Sequence, residues 1–199
     1  KNGAGLKNLK TPMNVLLDLF SGIGGFAKGL TDAGFKFDKH YFSEIDKHAT
    51  ANYKNNFKNG EHIGAIQDVS GRNIERPNII TFGFPCQDLS IAGKRKGLAG
   101  KRSGLYFEAM RIIEDTKPDI FIFENVKGLL SSNEGKDFEI VLRTIADLNL
   151  YDCEGQLLNT SWFLPQNRER IYFIGHLEEN PDQKYFLSDK QLKTMELMK

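Results

Sequence analysis

The sequence predicts an α/β protein: a doubly wound, mostly parallel sheet that ends in an antiparallel strand pair. Three observations lead there. Short apolar runs alternate with stretches of helical spacing, the pattern of βαβ units. The first run, MNVLLDLF at 13–20, breaks into the glycine-rich turn Ser21-Gly22-Ile23-Gly24-Gly25. The last two runs, 151–159 and 170–177, have no helical stretch between them, so they are expected to pair antiparallel.

In chain order, 1–12 is a polar lead-in rich in Gly, Asn and Lys, and 13–20 reads as a buried strand. Residues 26–33 read as a helix, 37–43 as a second strand and 46–57 as a second helix. A weak third strand is expected at 62–67 and a clear fourth at 77–84. Residues 105–115 read as helical, 119–123 (DIFIF) as a short buried strand. Phe138, Val141, Leu142 and Ile145 recur at helical spacing within 135–148. The strands at 151–159 and 170–177 are joined by a loop holding Pro165-Gln166-Asn167-Arg168-Glu169-Arg170. The expected organisation is one domain over 13–177, followed by the start of a further connection at 178–199.

Composition excludes several classes. With 199 residues, 40% hydrophobic and 27% charged, the chain reads as an ordinary globular protein. The net charge of +1 means that an anionic partner must be met by a local cluster. Such a cluster exists at 91–104, IAGKRKGLAGKRSG, with Lys94, Arg95, Lys96, Lys101 and Arg102 among four glycines. The two cysteines, Cys86 and Cys153, form no CxxC pair, so neither a disulfide framework nor a structural zinc site is expected. No apolar run approaches the roughly 20 residues of a membrane span, and the polar first residues show no signal peptide. A reduced, cytoplasmic protein is expected, with no membrane and no metal.

Five constellations carry chemistry. Phe20 to Gly25 forms a strand-to-helix turn where backbone approaches a ligand closely, or simply a tight turn. Glu44, nineteen residues past Gly25, ends the second strand, where an acid bonds ribose hydroxyls or merely faces solvent. Asp68 sits at the corresponding edge after the third strand, within reach of an adenine amino group. Pro85-Cys86-Gln87 turns the chain out of the fourth strand, because proline cannot extend a central strand. That leaves Cys86 as an inert packing thiol or, beside the following basic residues, a reactive one. Glu124-Asn125 follows an apolar strand and reads as an acid of altered pKa or as a helix cap. Finally, if 165–170 is extended, Gln166, Arg168 and Arg170 share one face, suited to an anion or to solvent.

In this order, the blocks DLFSGIGGF, GFPCQDLSIAGKRKGL, FENVKGLL and PQNRERIYFIG resemble the cytosine carbon-5 DNA methyltransferase family of bacterial or phage type, from Val15 to about Gly175. The resemblance implies a Rossmann-like fold, S-adenosylmethionine as cofactor (S-adenosylhomocysteine as product) and duplex DNA as partner. It implies that Phe20, Ser21, Gly22, Ile23, Gly24 and Gly25 line the cofactor pocket, with Glu44 on the ribose and Ile45, Asp68 and Val69 about the adenine. Pro85 and Leu105 would close the methionine side. Cys86 would be the nucleophile at cytosine carbon 6, Glu124 the group at ring nitrogen 3, and Arg168 a guanidinium near the carbonyl oxygen. Asn125 would orient the Pro85–Cys86 turn and Arg170 would support Glu124. Gln87, Ser90, Lys94, Arg95, Lys101, Arg102 and Gln166 would meet DNA.

The family pattern continues beyond its Gln-x-Arg-x-Arg strand into a target-recognition region, which the 22 residues after Leu177 do not match. The chain is therefore expected to be the catalytic portion of such an enzyme, with a companion chain or further segment carrying recognition. Two other readings stand beside this one: a tRNA cytosine-5 methyltransferase, and a non-catalytic DNA-binding or subunit scaffold. Relatives acting on tRNA tend to carry Pro-Pro-Cys where this chain has Phe84-Pro85-Cys86. A nicotinamide-linked dehydrogenase would explain only the glycine turn.

Overall fold

The computed structural model describes residues 14–85 and 104–178. Its elements in chain order are β1 (Val15–Leu19), α1 (Gly25–Asp32), β2 (Lys39–Ser43), α2 (Lys47–Asn56), β3 (Gly60–His62) and β4 (Ile79–Gly83). There follow α3 (Leu105–Thr116), β5 (Ile120–Val126), α4 (Lys136–Leu148), β6 (Tyr151–Asn159) and β7 (Glu169–Leu177). The strands form one seven-stranded sheet in the order β3-β2-β1-β4-β5-β7-β6. The first five pair in parallel, while β7 is antiparallel to both β5 and β6.

Every residue of β1 is buried, as a central parallel strand between two helical layers requires. Its side chains alternate between the layers. Leu16 packs with Ala27 of α1, Phe42 and Tyr53 of α2. Val15, Leu17 and Leu19 join the larger core under α3 and α4, with Ile80, Phe82, Phe121 and Phe123. The even positions of β1 thus face α1 and α2, and Asp18 shares that face.

The third strand differs from expectation. It runs over Gly60–His62, and 66–68 forms a 3₁₀ turn instead of strand. Gly64 takes φ +85°, which ends extended pairing, and Ile66 turns into the core at 3% exposure. β5 runs three residues further than its apolar stretch, because Glu124, Asn125 and Val126 pair with Tyr172, Ile171 and Arg170 of β7. Among the described residues, no helix is long and apolar enough to cross a membrane.

Candidate active site

Parallel strands deliver their C-terminal ends to one edge of the sheet, where open α/β sheets bind ligands. Here that edge collects Phe20 after β1, Glu44 after β2, Phe84 and Pro85 after β4, and Glu124 to Val126 at the end of β5. Because β7 runs the other way, its first residues, Glu169 and Arg170, arrive at the same edge.

On the β1–β2 side the chain leaves the strand in left-handed conformations, with φ +51° at Phe20, +54° at Gly22 and +95° at Gly24. A phenylalanine in that region is strained, and the surrounding contacts must hold it there. Gly24 is required twice over: a Cβ there would lie 2.4 Å from the Phe57 ring, besides the positive φ. Around Gly22 and Gly25, by contrast, a Cβ would meet nothing within 4 Å, so the turn borders open space.

The Glu44 carboxylate is drawn into this turn. Its Oε2 accepts from the Gly22 N–H at 2.9 Å, and Oε1 accepts from the N–H groups of Ile45 and Asp46, both at 2.8 Å. A carboxylate offers about four acceptor positions, so about one remains for a ligand hydroxyl. Ser21 ties the same two loops by donating its N–H to the Ser43 carbonyl at 3.1 Å. Its hydroxyl is the one buried side-chain polar atom without a hydrogen-bond partner among the described residues. Ile23 and Ile45, 62% and 81% exposed, offer apolar surface at the mouth. The turn therefore fits a nucleoside-bearing cofactor: backbone with room for a ligand, an acid for hydroxyls and apolar flanks for a base.

Asp68 lies exposed at the end of its 3₁₀ turn, whereas the Val69 side chain does not face the site. It is 1% exposed in the main core; its carbonyl accepts from Arg111 at 2.9 Å and its N–H donates to the Ile66 carbonyl at 3.2 Å. Pro85 is exposed, and Leu105 opens α3 partly buried against the core.

On the β5–β7 side, Arg170 Nε donates to Glu124 Oε1 at 2.7 Å, with both side chains three-quarters buried or more. Glu124 stands opposite Gly83 across the β4–β5 pair, where a Cβ would come within 3.2 Å of its Oε2. Asn125, 2% exposed, donates from Nδ2 to the Phe84 carbonyl at 2.9 Å and accepts the Val126 N–H at 2.8 Å. Its amide thereby fixes the direction in which the chain leaves β4.

Arg168 and Gln166 do not share a strand face with Arg170. β7 begins only at Glu169, because Asn159 and Thr160 close the preceding loop with bonds to Arg168 N–H, Asn167 and the Gln166 carbonyl. Both side chains are exposed, and no carboxylate among the described residues pairs with Arg168. The same loop presents Trp162, Phe163 and Leu164 to solvent at 61%, 83% and 57% exposure. Cys86, Gln87, Ser90, Lys94, Arg95, Lys101 and Arg102 lie outside the described residues. Cys153 is a buried free thiol, pushed up to about 12 by burial first and then by Asp152 and Glu154.

Two sets of residues escaped the sequence reading. Tyr172 of β7 stands opposite Glu124 and meets Phe26 of α1 edge-on at 6.3 Å, joining the two sides of the edge. Burial, then the Glu124 charge, raises its pKa. The other set is Asp18, Thr81, Tyr53 and His40, a fully buried polar chain. Its signal was present as an acid inside the apolar run MNVLLDLF, since unpaired charge is almost never fully buried. Among the described residues, no three His, Cys, Asp or Glu side chains could hold a metal ion together.

Residues 15–198 match the family model of the C-5 cytosine-specific DNA methylases. The Type II methyltransferase M1.ScrFI of Lactococcus lactis subsp. cremoris is 40% identical over 173 residues, which cover 86% of this chain and 44% of that protein. The Type II methyltransferase M.HaeII of Haemophilus aegyptius is 41% identical over 165 residues, covering 82% of this chain and 50% of that protein. The chain thus spans about half the length of these relatives. In fold it is similar to the crystal structure of DNMT2 from Spodoptera frugiperda, with TM-score 0.66 and 23% identity over 83% of this chain and 50% of that one. On this match the chain belongs to the family of C-5 cytosine-specific DNA methylases.

Proposed function

We propose that the chain transfers a methyl group from S-adenosylmethionine to carbon 5 of a cytosine flipped out of duplex DNA. The observation that carries this reading is the meeting, at one sheet edge, of the Glu124–Arg170 pair with the chain exit from β4 that Asn125 holds. The next residue along that exit is Cys86.

The chemistry needs this arrangement. Carbon 5 of cytosine is a weak nucleophile. A thiolate adding to carbon 6 breaks the aromaticity and turns carbon 5 into an enamine-like nucleophile. Cys86 supplies the thiolate. Electron density moves towards ring nitrogen 3, and Glu124 holds the proton there, itself braced by Arg170. Arg168, an exposed guanidinium just before β7, neighbours the carbonyl oxygen. When bound, S-adenosylmethionine supplies a methyl sulfonium, and its turn would be Phe20 to Gly25 with Glu44, Ile45, Asp68, Leu105 and Pro85. Loss of the carbon-5 proton to a base then lets the Cys86 sulfur leave with its bonding pair, restoring the ring. Carbon 6 is out of reach in a stacked duplex, so the base must be extruded. Lys94, Arg95, Lys101 and Arg102 would meet phosphates, and Gln87, Ser90 and Gln166 the strand around the vacated space.

The test is intact-mass analysis after incubation with S-adenosylmethionine and duplex DNA containing 5-fluorocytosine, which cannot lose its carbon-5 substituent. It is run on the chain alone and with a recognition region supplied in trans. A protein-plus-DNA mass that disappears in Cys86→Ser is the expected result. Its absence from the wild-type chain in both settings would overturn the assignment.

A further inference from the structure

Three consecutive apolar residues stand in the open at the tip of the β6–β7 loop: Trp162, Phe163 and Leu164, at 61%, 83% and 57% exposure. Among the described residues, none of the three packs on either core cluster. Water disfavours such a run, so its exposure marks a surface that meets something. The loop beneath it is firmly built. Asn159 Oδ1 accepts the N–H groups of Ser161 at 3.0 Å and Arg168 at 3.2 Å, and its Nδ2 donates to Asn167 at 2.9 Å. The Thr160 hydroxyl donates to the Gln166 carbonyl at 2.9 Å, and the Thr160 carbonyl accepts from the N–H groups of Phe163 and Leu164 at 3.0 and 2.8 Å. The rings are thus held out on an ordered backbone, which leaves less ordering entropy to lose on binding.

Position and charge select what the tip can meet. Val126, Arg170 and Leu158 lie in one row across β5, β7 and β6, and directly opposed residues share a face. The loop opens at the next pair, Asn159 and Glu169, so its base adjoins the Arg170 that holds Glu124. From Gly155 to Arg168 the chain contains no acid, and Gln166 and Arg168 stand exposed in the same loop. Ring faces together with a guanidinium and an amide, without a carboxylate, suit nucleic acid: the rings stack on bases while the donors take phosphates and base edges. A folded protein could use the same rings, but the position favours DNA, since a duplex must come to this edge if its base enters beside the Glu124–Arg170 pair.

We propose that Trp162 and Phe163 form a stacking shelf for the bases next to the extruded cytosine, with Leu164 widening its apolar face. The shelf rests on the function proposed above. Extrusion takes one base out of its stack and leaves its neighbours with uncovered faces. An indole and a phenyl ring beside the entry site cover such faces without reading sequence, because every base has a π-face. The shelf therefore favours the opened duplex over the closed one.

Trp162 is the chain's single tryptophan, so its emission reports on the shelf directly. The full chain, alone and with a recognition region supplied in trans, is titrated with duplex DNA in which a cytosine lies opposite an abasic position, which eases its extrusion. Affinity is read separately from the anisotropy of labelled DNA. Trp162 emission should be quenched as DNA binds. Trp162→Ala and Phe163→Ser should each weaken affinity by about tenfold, the scale of one lost base–aromatic stack, with Tm unchanged. Trp162→Phe should keep most of the affinity. Phe35→Ser, at a 46% exposed ring on the opposite edge of the sheet, should leave it as it is. DNA binding that leaves Trp162 emission unchanged, or that is as tight in Trp162→Ala, would overturn the shelf and leave the proposed function standing. Emission that shifts without DNA, on adding the recognition region or on concentrating the chain, would assign the tip to a protein interface and overturn the shelf as well. No DNA binding by the wild-type chain in either setting would bring down the proposed function together with the shelf.

Discussion

The two sides of the carboxyl edge are held in opposite ways. On the β1–β2 side the turn is fixed from within, by an entirely buried chain from His40 to Thr81 and by Glu44 folded onto backbone N–H groups. On the β5–β7 side the key carboxylate is fixed from the flank by one guanidinium, beside a loop whose apolar residues face solvent. The first arrangement resists change because breaking it leaves polar groups stranded away from water. The second can exchange partners, since a substrate can supply what Arg170 or water supplies. On the function proposed above, the preformed turn would receive a cofactor of fixed shape and the adjustable acid a base that leaves its duplex.

The largest effect lies on the adjustable side and in rate, not in stability. Glu124→Gln should lower kcat by about 10²–10⁴-fold. Its Tm should stay near wild type, because the amide still accepts from Arg170. A large stability loss would break the contrast.

Next comes backbone geometry on the fixed side. Gly24→Ala sets a Cβ at 2.4 Å from the Phe57 ring in a left-handed position. A loss of about 2–4 kcal/mol is expected in urea unfolding, from overpacking and strain together.

The third effect is in pH. Asp18 stands at about 7 in the fold against an ordinary 3.8, so its contribution is full at low pH and is lost as pH rises through 7. His40 stands at about 4 against 6.5, so its contribution is full above 6.5 and is lost as pH falls through 4. Between pH 4 and 6.5 the two slopes oppose and cancel. His40→Gln should uncover stability falling with pH, and Asp18→Asn stability rising with pH. Each slope is about 1.4 kcal/mol per pH unit, read from denaturant midpoints across that window. A flat profile in both variants would show that the buried chain does not titrate as a pair.

The smallest effect sharpens the adjustable side. Lys127 pairs with Glu169 at 3.0 Å, but the two side chains are 52% and 37% exposed. Lys127→Ala should cost less than about 0.5 kcal/mol. The more buried Arg170–Glu124 pair should respond more strongly to Arg170→Ala under the same conditions.

Sheet class, helix order and the edge at which Glu44, Pro85 and Glu124 gather were legible from alternating runs and turn residues. Both are local signals that need no knowledge of distant partners. The third strand was misplaced because Ile63 and Ile66 supplied an apolar pattern, while Gly64 between them decided the backbone. Arg168 and Arg170 would share one face only if 165–170 were extended, a geometry that Asn159 and Thr160 deny to Arg168 through cross-loop bonds. Val69 has the right neighbour in Asp68 but the wrong depth, and depth depends on α3 packing above it. Asp18 stood inside an apolar run, but its partners lie 35 and 63 residues away, on α2 and β4. No spacing rule joins them. The residues around Cys86 were read only from sequence and stand as proposals.

The place of β7 has a consequence for how the chain assembles. It lies between β5 and β6, so the outer edge of β5 stays open until residues 169–177 have been synthesised. A hairpin of β6 and β7 is local and forms early, whereas docking it onto β5 closes a loop of some fifty residues. The half-made protein therefore carries an apolar, unpaired strand edge, the kind that recruits other chains. It also lacks the Glu124–Arg170 contact, which forms only as β7 docks on β5. Pulse-labelled exchange during refolding should show β1, β2 and β4 amides protected before those of β5 that face β7.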